Sequence, residues 1–167
     1  MKIRPEIESD RNTVYAINVA AFESNEEADL VDRLRDQAGF FISLVAEQGG
    51  EIVGHIMLSP ASLPANPDTP AIGLGPMAVT PANQGQGIGS ALVRAGLEQC
   101  RQQGFQAAFV LGHPDYYPRF GFVPASRFGI ESVYDVPDEV FMAMELLPSS
   151  LTNKAGKMYY HPIFDEL

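Results

Sequence analysis

The sequence predicts an α/β fold built on a mixed sheet, and three observations predict it. Residues 71–111 read strand, helix, strand, the order that makes a right-handed parallel crossover. Residues 9–37 carry apolar residues at helical spacing. Between these stretches, two strand-like runs flank Gly49-Gly50, a hairpin signal that adds antiparallel pairing to the same sheet.

Each element follows from local pattern. Met1 to Arg4 is a short strand candidate stopped by Pro5. Ser9 or Asp10 is placed to cap a helix running to about Phe22, with Val14, Ile17, Val19 and Ala21 on its apolar face. A second helix covers Glu26 to Gln37, with Leu30, Val31 and Leu34 inward and Gly39 after its end. Phe41 to Glu47 and Ile52 to Leu58 are the hairpin strands, and the proline-rich stretch from Ser59 to Pro70 reads as a loop. Ala71 to Val79 is a further strand, in which Gly73, Gly75 and Pro76 imply a bulge or a distorted end. Gly87 to Gln103 is the clearest helix: Ser90, Arg94, Glu98 and Arg101 fall on one side, and Ile88, Ala91, Leu92, Ala95 and Cys100 largely on the other. Ala107 to Leu111 is apolar throughout, as in a sheet covered on both faces. A turn-rich stretch, a strand over Val140 to Leu146 and an apolar tail with Tyr159, Tyr160, Ile163 and Phe164 complete the chain.

Length and composition bound the function. The 167 residues suit one domain, with residues 148–167 as a C-terminal extension packed on it, and 46% hydrophobic with 19% charged residues is globular. No apolar run approaches the roughly 20 residues of a membrane helix, and the N-terminus lacks the apolar core of a signal peptide. With one cysteine, Cys100, no internal disulfide forms, so a reducing, cytoplasmic setting is expected. A net charge of −10 without a basic cluster argues against nucleic-acid binding. The acidity either serves solubility alone or, in part, lines a site for a cationic substrate. No His, Cys or carboxylate group has metal-ligand spacing, so no metal is expected.

The chemistry concentrates at Gln84-Gly85-Gln86-Gly87-Ile88-Gly89-Ser90, between a strand and a helix. Glycines let an anion approach the backbone, and the first N–H groups of the following helix lack intrahelical partners at the positive end of its dipole. Strand, glycine loop and helix therefore make a phosphate site or a tight connection. A Walker A loop requires a Lys followed by Ser or Thr, yet no lysine occurs between Lys2 and Lys154. A dinucleotide fingerprint requires a glycine where Ser90 stands and an acid about 20 residues on, whereas Gln99 to Pro114 contains none.

The stretch Leu74-Gly75-Pro76-Met77-Ala78-Val79-Thr80-Pro81 followed by Gln84-x-x-Gly87-x-Gly89 resembles the acetyl-CoA motif of the GNAT superfamily of N-acetyltransferases. Downstream, Tyr116-Tyr117-Pro118-Arg119-Phe120-Gly121-Phe122 is similar to that family's aromatic-Tyr-x-x-x-Gly-Phe element. The resemblance implies a sheet splayed between two parallel strands, with acetyl-CoA in the cleft as co-substrate. It implies that backbone groups of Met77, Ala78 and Val79 meet the pantetheine arm, and that Gln84, Gly85, Gln86, Gly87, Ile88, Gly89 and Ser90 take the pyrophosphate. It also makes Tyr117 the general acid, with Tyr116 packed beside it. The acceptor is then a primary amine on a small molecule or protein.

Other candidates divide between function and structure. Glu23, Glu26 and Glu27 surround the break between the first two helices, where the family shapes its acceptor site, or they are solvated helix ends. His113 lies near the expected cleft mouth or in a turn before Pro114, and His55 in a strand where a histidine is more often merely accommodated. Of these, Glu23, Glu27 and His113 are the expected acceptor-binding residues. Cys100 reads as a buried, inert thiol. A non-catalytic acyl-CoA sensor or interaction module is the alternative function. The apolar tail is expected to pack on the domain as an edge strand or to make a homodimer contact.

Overall fold

The computed structural model describes residues 1–166. Helices α1 (Arg11–Phe22), α2 (Glu26–Gln37) and α3 (Ile88–Gln102) flank strands β1 (Lys2–Pro5), β2 (Ile42–Gln48), β3 (Glu51–Ala61), β4 (Ala71–Val79), β5 (Ala107–Leu111), β6 (Val123–Pro124) and β8 (Phe141–Glu145). These strands form one mixed sheet in the order β1-β2-β3-β4-β5-β8-β6. A second, two-stranded parallel sheet joins β7 (Ile130–Ser132) to β9 (Gly156–Met158).

Alternation along β3 builds a core on each face. Ile56 and Leu58 join Leu92, Val93, Leu97 and Cys100 under α3. Met57, between them, joins Val14, Leu30, Leu34 and Val45 under α1 and α2. Phe109 and Phe141 stack at 5.9 Å on the far side of the sheet, covered by Ile130, Leu151 and Met158 rather than by a helix.

The feature that positions the site lies in β4. Its parallel pairing with β5 covers only Ala71↔Ala107, Ile72↔Ala108 and Gly73↔Phe109. Beyond Gly73, β4 stays with β3, but the register shifts between Ile56 and Leu58, so Gly75 and Pro76 face the single residue Met57. This is the expected bulge, and the proline, which lacks an N–H, sits where the ladder is already broken. Past the bulge β4 runs on to Val79 without β5, and a wedge opens between the two strands.

Three readings are corrected. β1 ends at Pro5, but the proline is itself the last paired residue, opposite Leu44, which an edge strand tolerates. β3 runs into the expected loop as far as Ala61, opposite Ala71, after its pairing with β2 has ended at Leu58. Asp10 occupies the N-cap of α1 without a side-chain cap bond. Its carboxylate instead accepts the Ile7 N–H at 2.8 Å and pairs with Arg4 at 2.7 Å. The apolar tail does pack on the rest of the chain. It does so through β9 and an isolated Ser62↔Tyr159 bridge, not as an edge strand of the central sheet.

Candidate active site

Two cavities meet in the wedge between β4 and β5. The first, of about 440 Å³, runs from Met77, Ala78 and Val79 to Gly85, Gly87 and the first turn of α3. The second, of about 620 Å³, lies over the Gly75–Pro76 bulge and the end of β5 at Leu111 to His113. Phe22, Met77 and Tyr116 border both.

The first cavity has the character of an anion cradle. Gly87, at φ 83°, is the N-cap of α3 and supplies no side-chain cap. The N–H groups of Ile88, Gly89 and Ser90 therefore stand at the positive end of a fifteen-residue helix without intrahelical acceptors. A Cβ on Gly87 would meet no protein atom within 4 Å, because it would project into open space. Gln84 turns back to donate from Nε2 to the Val79 carbonyl at 3.1 Å, tying the loop to the end of β4. Gln86 is exposed and off the cavity wall, unlike the other expected loop residues. The loop itself thus fits a pyrophosphate by backbone donors and close approach rather than by side-chain charge.

Sequence reasoning gave Arg119 no role beyond its motif. It stands on the wall of this cavity, donating from Nε to the Tyr116 carbonyl at 2.9 Å, with its guanidinium 4.5 Å from the Tyr116 ring centroid. It brings a cation to the wall of the first cavity. Its place between Tyr117 and Phe120 was the signal available in the sequence.

The two tyrosines divide. Tyr116 reaches α3, its hydroxyl 3.1 Å from Ser90 Oγ, and so does more than pack beside its neighbour. Tyr117 lines only the second cavity, with its ring edge-on to Tyr116 at 5.0 Å. Its ring lies against Gly112, where a Cβ would come within 2.2 Å. Burial, with a smaller contribution from Tyr116, pushes the Tyr117 hydroxyl up to about 12.

Glu27 and His113, placed apart in the sequence, both line the second cavity. Glu23 does not: it closes α1 as an exposed residue with φ 54°. His55 is fully buried and belongs to a structural chain. Asn18 Nδ2 is 3.4 Å from His55 Nδ1, and His55 Nε2 is 2.8 Å from Ser43 Oγ. Ser43 donates to Glu6 at 3.2 Å, and Glu6 holds Arg35 at 2.6 Å. Donors running one way along this chain leave the imidazole neutral, and burial holds it down to about 3. Cys100 is buried and pushed up to about 12 by desolvation, as expected of an inert thiol. Among the described residues no cluster of His, Cys, Asp or Glu could hold a metal ion, and no helix is long and apolar enough to cross a membrane.

Comparison with known proteins agrees with this geometry. The model of the acetyltransferase (GNAT) family matches residues 7–122. The uncharacterized N-acetyltransferase YjhQ of Escherichia coli is 41% identical over 135 residues, covering 78% of this chain and 75% of its own. The crystal structure of the E. coli GNAT family N-acetyltransferase YhbS in complex with CoA superposes with a TM-score of 0.92 at 32% identity, over 98% of this chain and 91% of that one. A GNAT family acetyltransferase from Brucella melitensis in complex with acetyl-CoA gives 0.80 at 34% identity, over 98% and 97%.

Proposed function

Because this chain belongs to the GNAT family of acetyltransferases, we propose that it transfers an acetyl group from acetyl-CoA to a primary amine by direct attack in the wedge between β4 and β5. The observation that carries this reading is the uncapped, glycine-lined N-terminus of α3 opening into a cavity that continues past Met77 to a second one. The CoA and acetyl-CoA complexes of the two similar structures support the choice of donor. A reducing, cytoplasmic setting belongs to the same reading, supported by the lone, buried Cys100.

In this mechanism the amides of the 87–90 turn, with Arg119 beside them, bind the pyrophosphate. The backbone N–H of Val79, which alternation along the β3–β4 ladder turns away from β3, donates to the thioester oxygen and stabilises the charge that develops there. On the other side the second cavity presents the amine, which attacks as the free base after its ammonium has given one proton to solvent. Its nitrogen forms the new C–N bond as the C–S bond breaks. Tyr117 gives its proton to the departing sulfur and recovers the one shed by nitrogen, so the products are an amide and a thiol. The raised Tyr117 hydroxyl stays protonated at working pH.

Release of free CoA from acetyl-CoA, followed across a panel of primary amines, tests the proposal. Amine-dependent release supports it. CoA binding with no turnover on any amine favours the sensor reading instead.

A further inference from the structure

The second cavity combines two features that bear on the acceptor. Its walls are aromatic: Phe22, Tyr116, Tyr117, Tyr134, Tyr160 and Phe164 all contribute. Tyr160 sits where the wedge begins. A Cβ on Gly73, the last β4 residue paired with β5, would lie 2.7 Å from its ring. Tyr160 in turn stacks with Tyr134 at 6.2 Å and tilts against Phe164 at 5.1 Å. The C-terminal extension therefore builds one side of the cavity.

The second feature is unsatisfied polarity. Among the described residues lining the cavity, Glu27 is the one carboxylate. Its Oε2 is sealed from solvent with no hydrogen-bond partner, and the Tyr160 hydroxyl is in the same condition. Buried polar atoms are rarely left so, and Glu27 is the acid that the ammonium of a ligand entering this cavity would meet. A second ammonium on the same ligand would find no second carboxylate among the described lining residues, only tyrosine oxygens, ring faces and His113, so its desolvation is poorly repaid. An apolar ring, by contrast, gains from every square ångström it removes from water.

Resting on the acetyltransferase reading above, we propose that the acceptor is a monoamine carried on an aromatic or comparably apolar body, such as an arylalkylamine, with its ammonium received by Glu27 and its ring held among Tyr134, Tyr160 and Phe164. Polyamines and solvated lysine side chains leave most of this aromatic wall uncovered and are expected to bind more weakly.

The test is calorimetric binding of phenethylamine, putrescine and a blocked lysine peptide to the full chain saturated with CoA. Phenethylamine is expected to bind at least ~30-fold more tightly than either rival, on the order of what burying one ring supplies. Equal or tighter binding of putrescine or the peptide overturns the proposal. Glu27→Gln, nearly isosteric, is expected to weaken phenethylamine at least ~10-fold with CoA affinity unchanged; unchanged amine affinity overturns the role of Glu27. CoA is titrated first into the wild-type protein. Failure there refutes the acetyltransferase reading itself, whereas CoA binding with the wrong amine order refutes only the acceptor class.

Discussion

Tyr117 and Tyr116 are adjacent in sequence yet placed differently, Tyr116 bordering both cavities and Tyr117 only the second, which makes single-atom substitutions informative. Tyr117→Phe keeps the ring on Gly112 and removes only the hydroxyl. Affinity for CoA should hold, while kcat falls by roughly 10²–10⁴-fold, the scale of a positioned acid. An unchanged kcat, with chemistry rate-limiting, removes Tyr117 from the mechanism. At the same scale, His55 makes stability depend on pH. Its folded form is held down to about 3 by burial, so below its ordinary value of 6.5 the unfolded chain takes up a proton that the native state refuses. This contribution is fully present above pH 6.5 and is lost as pH falls towards 3. Between pH 6.5 and pH 5 the unfolding free energy should drop by about 2 kcal/mol. Urea titrations at the two pH values check this, and His55→Gln should flatten the slope.

At the scale of elements, the α3 N-terminus and the C-terminal extension carry separate duties. Gly87→Val puts a branched side chain into the space where the phosphates are to lie, at a backbone φ of 83° that suits glycine. Binding of CoA should be abolished in a protein whose circular dichroism shows an intact fold, while Gln86→Ala should be mild. The extension is anchored by Ile163, buried against Leu30, Val31 and Leu34 of α2. Ile163→Ala should cost about 2–5 kcal/mol of stability, measured by chemical denaturation. A loss under 1 kcal/mol would mean that the extension is not packed as described.

What was legible in the sequence follows from the range of the signals. α2 matches its expected bounds because Leu30, Val31 and Leu34 repeat at helical spacing between an acidic first turn and a glycine just past its end. The bulge at Gly75–Pro76 and the loop before α3 announce themselves through residues that fit no regular strand or helix. The placement of Tyr160 on Gly73 does not. Nothing local distinguishes a tail tyrosine that closes a distant wedge from one that covers a hydrophobic surface. Asp10 misled for the same reason: its partner, Arg4, lies across a turn, and a charge pair won over the cap that its position suggested. Glu27 and Glu23 looked equivalent as helix-end acids, and only the direction of the α1–α2 corner puts one on the cavity wall and leaves the other exposed.

At the scale of the whole molecule, the sheet is closed up to Gly73 and open beyond it, and every proposed step takes place in that opening. Anion cradle, freed β4 backbone, Tyr117 and aromatic cavity lie in sequence along one cleft. Isothermal titration of acetyl-CoA into the wild-type chain and into Gly87→Val tests this most directly. One site per chain in the wild type, with no detectable binding to the folded variant, is the expected result. No heat with the wild type, or the same Kd for both proteins, would contradict a donor site at the N-terminus of α3 and the acetyl transfer proposed from it.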